Sequence, residues 1–164
     1  MEKKNDIIIR TEIKPGDLGY VMYRHGKIYG DEYNYGVGFE TYVGAGLYEF
    51  YKNYDPAFDR VWICEKENRI VGFLLLMHRE DKCAQLRYFY FERECRGLGL
   101  GNELMKLFVD FAKDCKYEKA YLWTTDELSA AHHLYAKFGF KLTEEKPTDN
   151  FGKPVVEQRY DLVF

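Results

Sequence analysis

The sequence predicts a mixed α/β fold: one sheet, antiparallel at its start, with a parallel crossover around a glycine-rich turn, flanked by helices. Three observations carry this. Short runs rich in Val, Ile and aromatic residues lie between polar turn residues, as strands do. Longer segments repeat apolar residues at helical spacing. One strand runs through a glycine-rich turn directly into a helix, the connection that a parallel neighbour requires.

Ile7 to Ile13 reads as the first strand. Pro15-Gly16-Asp17 breaks it, and a helix is expected from about Leu18 to Tyr29, with Asp17 as N-cap. A second helix is expected from Phe39 to Tyr54, because Tyr42, Val43, Leu47, Phe50 and Tyr54 recur at helical spacing. Val61 to Cys64 and Ile70 to His78 form a hairpin about the turn Lys66-Glu67-Asn68. Cys83 to Phe91 is a third strand of this group, with Leu86, Tyr88 and Tyr90 alternating against Arg87, Phe89 and Phe91. The glycine-rich turn leads into a helix from about Gly99 to Cys115, with Leu100, Leu104, Phe108, Phe111 and Cys115 on one face. Ala120 to Thr124 is a strand. Leu128 to Phe138 is a helix closed by Gly139. Phe140 to Thr143 and Val155 to Leu162 complete the sheet, giving the order β-αα-βββ-α-β-α-ββ. The four prolines are all expected between elements.

With 164 residues and no linker or repeat, residues 1–164 read as one domain. Aromatic residues at 18% exclude disorder as the main state. A net charge of −3 argues against a nucleic-acid partner. The apolar run through Val71 to Met77 is far short of the ~20 residues of a membrane helix. Ile7 to Ile9 is too short for a signal-peptide core. The four cysteines form no C-x-x-C pair and stand at no metal-ligand spacing, so free thiols in a reducing cytoplasm and no metal are expected.

The chemistry concentrates in Phe89 to Asn102. A strand end, a glycine-rich turn and a helix start place free backbone N–H groups at a positive helix terminus. That suits a phosphate or pyrophosphate. No Gly-Lys-Ser/Thr follows, so this is not a nucleotide-hydrolysing P-loop. The pattern is R-x-x-G-x-G, carried by Arg96, Gly99 and Gly101. It resembles the acetyl-CoA loop of the GNAT-type (GCN5-related) N-acetyltransferases. Leu134-Tyr135-Ala136-Lys137-Phe138-Gly139-Phe140 resembles the same family's L-Y-x-x-x-G-F signature. Gly19 to Gly26, Leu122 to Thr125 and Phe151-Gly152 look most like the acetyltransferase half of fusions between winged-helix regulators and GNAT domains, here as a free-standing relative.

The resemblance implies a GNAT-like fold and acetyl transfer from acetyl-CoA to a primary amine of a small molecule or protein, by direct attack in a ternary complex. The implied pyrophosphate-binding groups are Arg96, Gly97, Leu98, Gly99, Leu100, Gly101 and Asn102. Phe89, Tyr90 and Phe91 would pair with the pantetheine arm. Tyr135 would serve as general acid towards the departing thiolate, and the backbone N–H of Phe91 as oxyanion donor. For the base, Glu32, Glu40, His25 and Glu92 stay open, as does an ordered water. The sequence departs from the family at Arg93, where a proline is common, and at Thr125 and Leu128, where asparagines are common. Thr125 keeps a hydroxyl for pantetheine but loses an amide. Nine of the 15 tyrosines lie between Tyr20 and Tyr54. Most are expected to pack helices on the sheet, and any that wall a cleft suit an apolar or cationic acceptor. The family brings in a homodimer as one assembly. The competing function is a weakly catalytic module that holds acyl-CoA and regulates a partner.

Overall fold

The computed structural model describes residues 4–164. Seven strands form one sheet in the order β1-β2-β3-β4-β5-β7-β6. They are β1 (Ile8–Arg10), β2 (Arg60–Lys66), β3 (Arg69–Arg79), β4 (Cys83–Phe91), β5 (Lys119–Thr125), β6 (Lys141–Thr148) and β7 (Val155–Val163). Four α-helices accompany them: α1 (Asp17–Tyr33), α2 (Val37–Lys52), α3 (Leu100–Asp114) and α4 (Ser129–Lys137). The order of elements is the one the sequence predicts, with short 3-10 turns added at Lys4–Asp6 and Arg93–Cys95.

Several boundaries differ for physical reasons. The first strand is three residues long, because it pairs only with Ile63 to Glu65 and Arg10 is then drawn to Asp17. Asp17 is not the N-cap. Gly16 holds that position in a left-handed conformation, and the Asp17 carboxylate turns back to the Lys14 N–H and the Arg10 guanidinium. The first helix runs past Tyr29 to Tyr33, where Asn34 ends it with φ 59°. The β2–β3 hairpin turns through Glu67 and Asn68, both at positive φ. The sixth strand is longer than expected and contains Pro147. An edge strand tolerates that residue, since its free side needs no N–H.

All strand pairs are antiparallel except β4 and β5. These two pair only over Cys83–Lys119, Ala84–Ala120 and Gln85–Tyr121. Beyond that point they diverge, β4 running on to Phe91 and β5 to Thr125. The result is a wedge in the middle of the sheet with backbone along both walls.

Alternation along β4 is broken inside this wedge. Phe73 pairs with Tyr90 and Leu75 with Arg87, so Tyr88 and Phe89 together stand opposite Leu74. Tyr88 is the bulged residue, at φ 60°. Leu86, Phe89 and Phe91 therefore share the α3 face, and Tyr88 joins Tyr90 on the α1–α2 face. The unbroken alternation expected from sequence is corrected here.

The sheet separates two cores. One packs α3 on it through Leu100, Leu104, Met105, Phe108 and Ala112. Phe111 and Cys115, expected on that face, lie at its margin. The other packs α1 and α2 through Val21, Val43, Leu47 and Phe50. No helix among the described residues is long and apolar enough to cross a membrane, and the four cysteines are free.

Candidate active site

The glycine-rich turn has the geometry of an anion cradle. Gly97 and Gly99 sit at φ 79° and 80°, which side-chain-bearing residues rarely adopt. A Cβ at either would meet nothing within 4 Å, so it is the backbone path, not protein packing, that requires glycine. Gly101 differs: its Cβ would come within 3.1 Å of Leu134, so here glycine lets α4 approach α3. Helix α3 starts at Gly99 without a side-chain cap. From Gly97 to Asn102, six successive N–H groups have no backbone acceptor among the described residues. They surround the positive end of a 15-residue helix.

A cleft runs from this cradle along the wedge. Its walls include Phe89, Tyr90, Phe91, Arg96, Gly97, Gly99, Leu100, Gly101 and Asn102 from the loop side, and Leu134 and Tyr135 from α4. Leu98 packs its side chain against the core, leaving only its backbone to the loop. In the β3–β4 ladder the Glu92 N–H bonds Val71 O at 2.8 Å. By antiparallel alternation, the polar groups of Phe89 and Phe91 then point away from β3 and into the wedge. Arg96 Nε donates to Phe91 O from that side at 3.1 Å. An extended ligand arm can thus find backbone partners along β4.

A second cleft opens on the opposite side of the sheet's wedge. It is walled by α1 and α2 (His25, Tyr29, Tyr35, Phe39, Tyr42), by Gln85 to Phe89 of β4, by Trp123 to Thr125 of β5, and by Phe151 and Glu157. Four wall residues, Tyr29, Phe89, Leu128 and Tyr135, belong to both clefts. Tyr135 is 5% exposed, packed among Phe89, Phe140 and Tyr160. Burial pushes its phenol well above the ordinary value of 10, so it holds its proton at neutral pH.

The four candidate bases are dispersed. Glu92 is buried beneath the Arg24 guanidinium, at 2.6 and 2.9 Å, and lines neither cleft. Glu40 packs over Gly26 of α1 and lines neither cleft. Glu32 lies at the loop cleft, bound to Arg96 at 2.9 Å and to Arg93 at 3.3 Å. Arg96 is thereby tied to α1 and to Phe91 O rather than standing free over the loop. His25 does line the second cleft, yet it is 3% exposed, stacked on Tyr29, and bonded through Nδ1 to Val21 O at 2.8 Å. Burial lowers its pKa from 6.5 to about 4, so titration near neutral pH does not apply. The Thr125 hydroxyl is taken up by Tyr35 Oη at 2.8 Å, and the residue lines the second cleft.

The His25 shift has a consequence for stability. The neutral ring is favoured on folding, so this contribution is complete above 6.5 and is lost as pH falls towards 4. The interval corresponds to about 3 kcal/mol at most. Acid unfolding of His25→Gln, followed by circular dichroism, is expected to show a flatter stability profile across that interval than the parent.

Sequence reading missed three cleft residues. Glu157 is the one carboxylate among the described residues lining the second cleft, with its side chain 15% exposed and Lys146 Nζ at 3.8 Å. Arg87 and Thr124 line it from β4 and β5. The Thr124 hydroxyl is buried and has no hydrogen-bond partner among the described residues. No group of three His, Cys, Asp or Glu side chains among the described residues is placed to hold a metal.

Comparison with known proteins agrees with the fold. The model of the acetyltransferase (GNAT) family matches residues 19–140. An uncharacterized N-acetyltransferase of Escherichia coli, YjgM, is 30% identical over 104 residues, 62% of this chain and 62% of that protein. The match therefore spans less than two thirds of the relative. A GNAT-family acetyltransferase of Staphylococcus aureus superposes with a TM-score of 0.77 at 18% identity, covering 96% of this chain and 98% of the other. A GNAT-family acetyltransferase of Elizabethkingia anophelis, solved with acetyl-CoA bound, gives 0.68 at 14% identity, covering 98% and 100%.

Proposed function

The chain belongs to the acetyltransferase (GNAT) family, and on that footing we propose that it transfers an acetyl group from acetyl-CoA to a primary amine. The observation that carries this reading is the meeting of two clefts at Tyr135, one of them ending in six unbonded amides. The residues present fit acetyl-CoA: the amides of Gly97 to Asn102 suit its pyrophosphate and the backbone of Phe89 to Phe91 suits its amide-bearing arm. When bound, it supplies an activated acyl group and a thiolate leaving group.

The protein's own groups then have separable tasks. Tyr135, protonated and placed where the clefts join, gives a proton to the departing sulfur. Negative charge developing on the transferred carbonyl oxygen is met by a β4 backbone N–H. Phe91, whose N–H points into the wedge, is the candidate donor from the sequence, and Phe89, which lines both clefts, presents a second N–H to the same space. The acceptor amine must lose a proton before attack, and Glu157 is the carboxylate placed to take it, directly or through a water. We also propose a reducing cytoplasmic setting, on four free cysteines, and kinship with the acetyltransferase half of regulator fusions, on the segments already quoted.

Release of free CoA from acetyl-CoA, measured against polyamines, amino acids, aminoglycosides and peptide N-termini, tests the reading. Amine-dependent release with one class is the expected outcome. Acetyl-CoA binding with no amine-dependent release would replace catalysis by sensing.

A further inference from the structure

We infer that the acceptor carries a carboxylate besides its amine, and that Arg87 binds that carboxylate. The inference rests on the acetyl-transfer reading and names its substrate class. The chain has nine arginines. Seven of them, Arg10, Arg24, Arg69, Arg79, Arg93, Arg96 and Arg159, are ion-paired with carboxylates. Arg60 lies over the Phe111 ring and reaches Pro56 O, away from both clefts. Arg87 alone lines the second cleft, the acceptor's on that reading, half-buried, with no carboxylate and no hydrogen-bond acceptor among the described residues.

The surroundings hold this guanidinium in place without satisfying it. Its carbon lies 4.6 Å from the centre of the Tyr88 ring and 5.7 Å from that of Tyr42. Contact with ring faces leaves the N–H edges free, and those edges match a carboxylate in two-point fashion. Gly46 of α2 makes room for the arrangement: a Cβ there would collide with the Tyr88 hydroxyl and stand 2.7 Å from Arg87 Nη2. A second unsatisfied polar atom, the buried Thr124 hydroxyl, lies in the wall of the same cleft. A half-buried cation in the wall of an aromatic cleft disfavours a purely cationic acceptor such as a polyamine. It favours an amine whose own anion supplies the missing partner, and Glu157 across the cleft then faces the amine. Amino acids and their close analogues have that pair of groups.

The test compares each amino acid with its own carboxamide, which keeps the side chain and removes the carboxylate charge; because that change also lowers the amine's pKa, rates are compared at equal concentrations of free amine. CoA release is measured with saturating acetyl-CoA, and binding of each pair to the CoA-loaded protein is followed by calorimetry. A preference for acids of about ten- to hundredfold in kcat/KM or in affinity is expected. In Arg87→Gln that preference should collapse towards one, and Arg87→Lys should restore part of it. Melting curves establish that both variants fold. Equal or better use of carboxamides, no carboxylate-dependent binding, or an acid preference that survives in Arg87→Gln would overturn the inference. Acetyl-CoA binding measured alongside keeps such a failure distinct from failure of the transferase reading.

Discussion

Gly99→Glu is expected to weaken acetyl-CoA binding by about a hundredfold or more while leaving the protein folded. The position has φ 80° and no heavy atom within 4 Å of where a Cβ would project, so the new side chain enters open space, not the core. A left-handed residue other than glycine costs about 1–2 kcal/mol. A carboxylate beside six free amides offsets part of that, because it occupies the anion cradle itself. The same occupation excludes the pyrophosphate by bulk and by like charge. Gly99→Ala carries the backbone strain without the charge and should bind acetyl-CoA far better than the glutamate variant. Calorimetric titration of both variants, with melting curves as controls, reads the difference. Unchanged affinity in a folded Gly99→Glu would remove the cradle from the loop.

Tyr135→Phe is expected to separate turnover from binding. The ring is packed among Phe89, Phe140 and Tyr160, contacts that phenylalanine keeps. Only the hydroxyl at the junction of the clefts is lost. Loss of a positioned general acid lowers rates by about a hundredfold or more, so kcat should fall by that order. The acetyl-CoA dissociation constant should change by less than about threefold, since the cradle and β4 are untouched. Matched losses in both quantities, or no loss in either, would make Tyr135 a packing residue.

The fold was largely legible because its signals are local. Runs such as Val61 to Cys64 and Cys83 to Phe91 are apolar between turns, and the helices repeat their apolar residues on one face. What escaped depends on tertiary structure. The β4 bulge has no local signature, since Tyr88 is not a residue that favours φ 60°; its side chain is accommodated by the missing Cβ of Gly46. The reach of β6 to Thr148 was hidden because an edge strand exposed along nearly its whole length shows no alternation. The loop and Tyr135 announced themselves through glycine spacing and the family signature. The cleft's charged residues did not. Arg87 and Glu157 sit in strands where a charged residue ordinarily marks a solvent face, and the cleft they line exists only because β4 splays from β5. Conversely, Glu92 and Glu40 were plausible bases by position along the chain, yet one is buried under Arg24 and the other packs on Gly26.

The most direct test of the central claim is a calorimetric titration of the unmodified protein with acetyl-CoA. Saturable binding of one acetyl-CoA per chain, competed by free CoA and lost in Gly99→Glu, is the result predicted by the free amides from Gly97 to Asn102. Absence of binding up to millimolar ligand, in protein whose melting curve shows it folded, would contradict both the cradle and the transferase function built on it.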